Sequence, residues 1–300
     1  MLSGTIGKDR ARWSTGFSKL RLDFRGCSVW PSVVIDTHCH LDVAVFETDR
    51  AAVWQRARAA GVHSAVIPGI EPATWGTCVA VARSLGLHVA LGIHPQALPE
   101  LTDAEVDAGL AGLESALRES RAVAVGECGF DGGVDLGRAS FERQTAVVAA
   151  HLEIARTLGL PVVLHVLRAH ETALTLLRRV RLPERPGVIH SYSGSAELAH
   201  AYLALGFFLS FAGGVTRPRA RRPVQAARAI PLERMLAETD APDQRPTGAT
   251  TNADDCRCEP ADLVFVVRRL AEIRGMDEAE LRTRLDRNAC ALFDLSPEPA

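Results

Sequence analysis

Side chains that can bind metal ions recur in this sequence directly after short apolar runs. The first run is followed by His38 and His40, and because side chains alternate along an extended chain, these two imidazoles point the same way. Four later runs are followed by single residues of the same kind: Glu127, His165, His190 and Asp240. Each residue alone has an ordinary structural explanation, such as a buried, hydrogen-bonded histidine. Their recurrence favours a metal centre, because imidazole nitrogens and carboxylate oxygens bind Zn, Mn, Co or Fe.

Six candidate ligands are enough to hold two divalent ions. Burying so many polar groups without partners would cost a few kcal/mol each, and cations remove that cost. With ions about 3.5 to 4 Å apart, Glu127 can bridge them while a shared water is deprotonated and a phosphoryl or acyl centre is polarised. Asp240 is then placed to take the proton. We expect zinc, with manganese, magnesium or cobalt as alternatives. In the segment from Glu127 to Asp131, the structural alternative to a metal ligand is a carboxylate that caps the following helix. Asp131 suits that role better than Glu127.

The elements that must position these residues alternate between short apolar runs and longer segments of helical period. Crossover handedness leaves a closed barrel or an open doubly wound sheet, and no G-x-G-x-x-G turn follows the first strand. We therefore predict one α/β domain, a (β/α)₈ TIM-type barrel over residues 33–297, with the candidate ligands at its mouth. The predicted strands are Val33–Asp36, His63–Pro68, His88–Gly92, Ala122–Gly126, Pro161–His165, Gly187–His190, Gly206–Ser210 and Met235–Glu238.

Composition narrows the function classes. No apolar run reaches the roughly 20 residues of a membrane helix, and a net charge of −2 gives no overall positive field for a long nucleic acid. Seven scattered cysteines favour a reducing cytoplasm.

Residues 1–32 carry six basic and two acidic residues. We expect an N-terminal extension there, disordered or added by an early start codon, with a targeting leader as the alternative.

The motifs resemble, in the same order, those of the TatD-like deoxyribonuclease family of metal-dependent hydrolases. The resemblance covers Val33 to Pro297 and implies a TIM-type barrel, the six metal ligands named above, and metal-dependent hydrolysis of DNA phosphodiesters, often from the 3′ end. Its carriers are Asp36-Thr37-His38-Cys39-His40-Leu41-Asp42, Gly92-Ile93-His94-Pro95, Gly126-Glu127-Cys128-Gly129-Phe130-Asp131, Pro161-Val162-Val163-Leu164-His165, His190-Ser191-Tyr192-Ser193-Gly194 and Glu238-Thr239-Asp240-Ala241-Pro242.

Substrate contacts are expected around the mouth. By resemblance His94 contacts a phosphate oxygen, with a loop-anchoring histidine as the alternative. The family's arginine shortly after the fifth strand is displaced here to Arg168. After the seventh strand, Arg219 and Arg221 lie in a basic segment where barrel loops often hold phosphate, although a solvated charge run explains them equally well.

One motif departs from the family pattern near the last helices. Arg257-Cys258-Glu259-Pro260 has a cysteine where the family has an asparagine, which removes an amide donor from the rim. Cys256 and Cys258 form a Cys-x-Cys pair, for which we expect exposed, non-functional thiols rather than a zinc or redox site.

These observations predict a cytoplasmic, dinuclear metal-dependent hydrolase. The leading hypothesis is a 3′–5′ exonuclease-like deoxyribonuclease that attacks DNA ends or short nucleic acids with hydroxide generated at the metals. An amide, ester or lactone hydrolase on the same site is the alternative within enzymes, because the same chemistry attacks carbonyl carbon. A non-catalytic metal-binding barrel is the alternative of another class. No membrane and no obligate protein partner is indicated.

Overall fold

The computed structural model describes residues 33–249 and 257–296, and the predicted extension over residues 1–32 lies outside them. In this part of the chain, eight parallel strands form one sheet in sequential order. A backbone hydrogen bond from Thr37 N to Ala237 O, 3.3 Å long, brings the last strand back to the first. The strands are β1 Val34–Asp36, β2 Val62–Gly69, β3 His88–Leu91, β4 Ala124–Asp131, β5 Val162–Leu167, β6 Gly187–Ile189, β7 Phe208–Phe211 and β8 Met235–Ala237.

Helices connect the strands and cover the outside of the barrel, so the predicted (β/α)₈ architecture is confirmed. Helix α4 begins after Ser140, whose side chain accepts a hydrogen bond from Arg143 N, and ends at Gly159 in the left-handed conformation. The α-helices of the described residues are α1 Arg50–Ala59, α2 Trp75–Leu85, α3 Asp103–Ser120, α4 Phe141–Leu158, α5 His170–Leu177, α6 Ala196–Ala204, α7 Arg221–Ala229, α8 Leu263–Arg274 and α9 Glu278–Phe293.

The interior of the barrel is a layer of apolar side chains, one from each strand: Ile35, Val66, Ala90, Ala124, Val163, Val188, Phe208 and Leu236. Ala289, Leu292 and Phe293 of α9 pack against this layer. Because side chains alternate along a strand, the residue two positions beyond an interior one faces inward again. This relation places His165 beyond Val163 and His190 beyond Val188 on the inner face.

Strand β4 is the exception to that alternation. The predicted strand stops at Gly126, whereas the observed one continues to Asp131, so Glu127 lies within the strand. Ala124 is an interior residue, and in a regular strand Glu127, three positions later, would face the helices. The register with β5 shifts between Val125 and Cys128, and this irregularity turns Glu127 inward.

Two glycines permit the irregular course of β4. Gly126 has φ 130°, and a Cβ there would lie 2.4 Å from Val163 O. A Cβ at Gly129 would lie 2.0 Å from His165 O. The glycines that flank Glu127 therefore allow β4 to approach β5 more closely than any side chain would permit.

Among the described helices we find none whose length and apolar character would let it cross a bilayer. The cytoplasmic location expected from the cysteines stays a prediction.

Candidate metal centre

The six predicted ligands converge at the mouth of the barrel. A cavity of about 500 Å³ opens there and is lined by His40, Glu127, His165, His190 and Asp240. His38 lies beneath them, with 1% of its surface exposed. Side chains separated by up to about two hundred residues thus face one space.

The first cluster consists of His38, His40, Asp240 and one oxygen of Glu127. His38 Nε2 lies 3.2 Å from His40 Nε2 and 3.1 Å from Glu127 Oε2. Asp240 Oδ1 lies 3.6 Å from His38 Nε2 and 3.7 Å from His40 Nε2. Four ligand atoms of the types that bind zinc therefore surround one point.

The second cluster uses the other oxygen of Glu127. Oε1 lies 2.8 Å from His190 Nε2 and 3.1 Å from His165 Nδ1. These two imidazole nitrogens lie 3.1 Å apart. Glu127 thus stands between the clusters with one oxygen in each, the arrangement that a bridging carboxylate requires.

The donor atoms fit divalent cations. Two nitrogens that bind one tetrahedral zinc ion at about 2.05 Å lie about 3.3 Å apart, close to the nitrogen–nitrogen distances of 3.2 and 3.1 Å in the two clusters. Converging lone pairs are costly unless a cation or a proton lies between them, so the geometry favours metal binding.

Carboxylates behind two histidines set which nitrogen faces the centre. Asp131 Oδ2 lies 3.3 Å from His165 Nε2, which directs the Nδ1 lone pair inward. Glu238 Oε1 lies 3.5 Å from His190 Nδ1, a distance at which charge attraction outweighs hydrogen bonding, and Nε2 faces inward. The Asp131–His165 pair is the carboxylate–histidine–metal arrangement common at metal sites. The Glu238–His190 pair has the same order of groups at a longer distance.

His94 joins the second cluster in a different way. Its Nε2 lies 3.0 Å from Glu127 Oε1, while its Nδ1 accepts a hydrogen bond from Gln96 N. Burial lowers the pKa of His94, so the ring is neutral and carries its proton on Nε2. His94 therefore donates a hydrogen bond to Glu127 rather than offering a lone pair to a metal.

The negative charge of Glu127 is strongly favoured in this setting. Burial alone raises the pKa of a carboxyl, but the facing His190, His94 and His38 outweigh burial and hold the pKa of Glu127 well below its ordinary value. Burial also opposes a charge on His190, yet Glu127 and Glu238 hold the pKa of His190 well above its ordinary value. The side chains around Glu127 therefore favour its negative charge.

Asp240 is fixed by the β8 loop. Its Oδ2 accepts a hydrogen bond of 2.5 Å from Gln244 Nε2, which leaves Oδ1 directed at the first cluster. Its backbone N–H donates to His38 O at 2.9 Å. The predicted proton acceptor thus has one oxygen held in place and one facing the cavity.

The predicted substrate contacts are less uniformly placed. Arg219 lines a second cavity beside the metal cavity, together with Arg217. Arg221 is the first residue of α7 and Arg168 follows β5; both are exposed, and both lie outside the linings of these two cavities.

The Arg257-Cys258-Glu259-Pro260 motif serves the structure rather than a thiol site. Cys258 is fully buried, so the expectation of an exposed thiol is wrong for it; its Sγ lies 3.9 Å from Thr239 O, beneath the β8 loop. Cys256 lies outside the described residues. Arg257 donates to Val45 O and to Asp49 Oδ2, and Val45 lines the metal cavity. The motif therefore anchors one wall of the site.

Sequence reasoning missed the carboxylates that support the ligands. Asp131 was considered only as the better candidate for a helix cap in the structural alternative. Ser140 caps α4, and Asp131 instead receives hydrogen bonds from Gln96 Nε2 and Gly133 N. Buried Glu238 accepts from Ser191 N. For Glu238 a usable signal was present, because it lies two positions before Asp240, whereas Asp131 lies beyond the predicted end of β4.

Comparison with known proteins places this centre in a family. The model of the TatD related DNase family matches residues 35–294. The chain belongs to the TatD-related DNase family. It is thus a metal-dependent hydrolase of the TatD type, as the sequence motifs predicted, and its centre contains groups of His and Glu side chains that could hold metal ions.

Relatives of the TatD-type chain span almost its whole described length. It is 36% identical over 262 residues to the uncharacterized metal-dependent hydrolase YjjV of Escherichia coli K12, covering 87% of this chain and 98% of that protein. It is 32% identical over 272 residues to the 3′-5′ ssDNA/RNA exonuclease TatD of Cronobacter sakazakii, covering 89% and 100%. The crystal structure of E. coli YjjV superposes with a TM-score of 0.79 at 34% identity, covering 88% and 98%.

Proposed function

We propose that this TatD-family hydrolase is a two-metal nuclease that cleaves phosphodiester bonds at the ends of DNA or in short nucleic acids. The observation that carries the proposal is the position of Glu127, whose oxygens lie 3.1 Å from His38 Nε2 and 2.8 Å from His190 Nε2. A relative named as a 3′-5′ exonuclease supports the choice of nucleic acid, and the arginines beside the centre provide cationic charge for phosphates.

Each side chain of the centre then has a defined role. His38, His40 and Asp240 would hold one divalent ion, His165 and His190 the other, and Glu127 would bridge them. Zinc is favoured by the nitrogen-rich donor set, with manganese, magnesium or cobalt as alternatives. Such ions supply Lewis acidity and an activated water when they are bound.

The remaining steps depend on the residues around the ions. Asp240 accepts a proton from the attacking water at its carboxylate, which Gln244 holds in position. His94 carries its proton on Nε2, hydrogen-bonded to Glu127 Oε1 in the free protein, and would turn this hydrogen bond to a phosphate oxygen when substrate binds. Arg219, Arg221 and Arg168 attract the phosphates of the substrate at the rim.

Purified protein incubated with a 3′-end-labelled single-stranded oligonucleotide tests the proposal. We expect release of terminal nucleotides, loss of this activity with a chelator, and recovery on addition of zinc or manganese. Hydrolysis of ester, lactone or amide substrates without cleavage of the oligonucleotide would replace the nuclease with the alternative hydrolase. Bound metal without turnover of any substrate would indicate the non-catalytic barrel.

A further inference from the structure

A second cavity lies beside the metal cavity, between the loops that follow β5, β6 and β7. Its lining includes Leu167, Ser191, Tyr192, Arg217, Arg219 and Gln244. Ser191 directly follows His190, and Leu167 lies two positions beyond His165, about 7 Å further along the strand. The second cavity therefore adjoins the second ligand cluster.

Gln244 forms the boundary between the two cavities. Its Nε2 donates both to Asp240 Oδ2, in the metal cavity, and to Ser191 Oγ, in the second cavity. A ligand that spans the two spaces would pass close to this amide. The reacting group and its neighbour would thus lie on opposite sides of Gln244.

Two cationic side chains border the second cavity. Arg217 and Arg219 are exposed, and no carboxylate of residues 33–249 or 257–296 forms an ion pair with either. By contrast, surface arginines such as Arg118 and Arg156 are paired with glutamates on their own helices. As far as residues 33–249 and 257–296 are concerned, Arg217 and Arg219 are thus available to an external anion.

The floor of the same cavity is apolar. Leu167 is 36% exposed, one of the few large apolar residues at the described surface, and Val215 and Pro223 line the same cavity. An exposed apolar side chain in a cavity with cationic edges suits a ligand with a flat apolar face and an attached phosphate. A nucleotide has both features.

The opposite side of the metal cavity carries mainly negative charge. A cleft that continues from Val43, Ala44 and Ile70 is lined by three acidic residues and by Arg50. The Arg50 guanidinium is occupied by the carbonyl oxygens of Leu41 and Asp42. Phosphates are repelled on that side; the acidic residues are Asp42, Glu47 and Glu71.

We propose that the second cavity binds the nucleotide next to the scissile phosphodiester. Its phosphate lies between Arg217 and Arg219 and its base packs on Leu167, so that the polynucleotide leaves the centre on this side only. This inference rests on the proposed nuclease function and adds to it a direction for the substrate chain.

A pair of double variants and two substrates test the proposal. Arg217→Ala with Arg219→Ala should lower kcat/KM for a single-stranded oligonucleotide about 10-fold or more by raising KM. Bis(p-nitrophenyl) phosphate has one phosphodiester and no neighbouring nucleotide, so its kcat/KM should fall far less in this variant than the kcat/KM for the oligonucleotide. Arg178→Ala with Arg179→Ala removes the same charge from exposed positions at the end of α5 and should change neither rate.

A third variant separates packing from charge. Leu167→Ser should lower kcat/KM for the oligonucleotide at unchanged net charge, with a much smaller effect on bis(p-nitrophenyl) phosphate. Equal rates for wild type and the Arg217/Arg219 variant on the oligonucleotide would overturn the subsite and leave the nuclease standing. An equal loss in the Arg178/Arg179 variant would also overturn it, because only overall charge would then matter. A wild-type protein that cleaves no oligonucleotide would overturn both proposals.

Discussion

Asp131 Oδ2 lies 3.3 Å from His165 Nε2, on the far side of the imidazole from the metal cavity. The same oxygen accepts a hydrogen bond of 2.9 Å from Gln96 Nε2, so the carboxylate is itself held in place. His165 can therefore present only Nδ1 to the second cluster. Asp131 is a positioning residue that works through His165.

Asp131→Asn should weaken metal binding. The amide keeps the size of the side chain but loses the charge that fixes the His165 tautomer, and changes of this kind cost about 10- to 100-fold in metal affinity. Competition with a chromophoric chelator measures the affinity. Asp135→Asn, at an exposed position a few residues later, is the matched control and should leave the affinity unchanged. Equal affinity of the Asp131 variant and wild type would show that this carboxylate does not act on the metal site.

Asp240→Asn should cost turnover far more than stability. The amide cannot take up the proton of the attacking water, and loss of a general base lowers kcat by about 10²- to 10⁴-fold. Asp240 has φ 59°, and Asn tolerates this conformation as well as Asp does. Asp294→Asn, at φ 57° near the end of α9, is a matched control that should change neither kcat nor Tm. Parallel losses of kcat and Tm in the Asp240 variant would instead identify a purely structural residue.

His94→Asn should separate a substrate contact from a metal ligand. We expect wild-type metal content with a lower kcat/KM for oligonucleotides, because His94 Nε2 carries a proton and has no lone pair for a metal. Elemental analysis and steady-state kinetics on the same preparation give both quantities. Loss of one metal ion from the variant would make His94 a ligand and would contradict the assigned tautomer.

Much of the centre followed from sequence because it depends on strand alternation. His165 and His190 each end an apolar run, and an inward-facing residue two positions earlier fixes their direction. Glu127 was identified by its type and its flanking glycines, but its inward direction comes from a register shift between β4 and β5 that no local pattern encodes. The role of Asp131 was missed for the same reason, since β4 continues past the predicted end. The contacts of Gln244 likewise depend on how three loops pack together.

Buried His151 should make the protein sensitive to mild acid. Its Nε2 accepts a hydrogen bond from Ile93 N, and burial lowers its pKa to about 4. Between pH 6.5 and 4 the unfolded chain binds a proton that the folded protein does not, so stability is complete above pH 6.5 and is lost as the pH falls. With an unfolded pKa of about 6.5, the loss at pH 5 is about 2 kcal/mol.

Urea unfolding at pH 7.5 and pH 5 measures this loss. His151→Gln should lose about 2 kcal/mol less than wild type between the two pH values, even if it is less stable at both. His200→Gln, at an exposed position of α6, should show the wild-type loss. The same acid loss in the His151 variant as in wild type would exclude His151 as its source.

The most direct test of the metal centre is the number of metal ions per chain. Elemental analysis of wild-type protein, loaded with zinc and freed of excess metal, should give two ions per chain. Glu127→Gln, which keeps the shape of the side chain but removes the shared charge, should give one or none. One ion per wild-type chain, or two in the Glu127 variant, would contradict a carboxylate-bridged pair of cations.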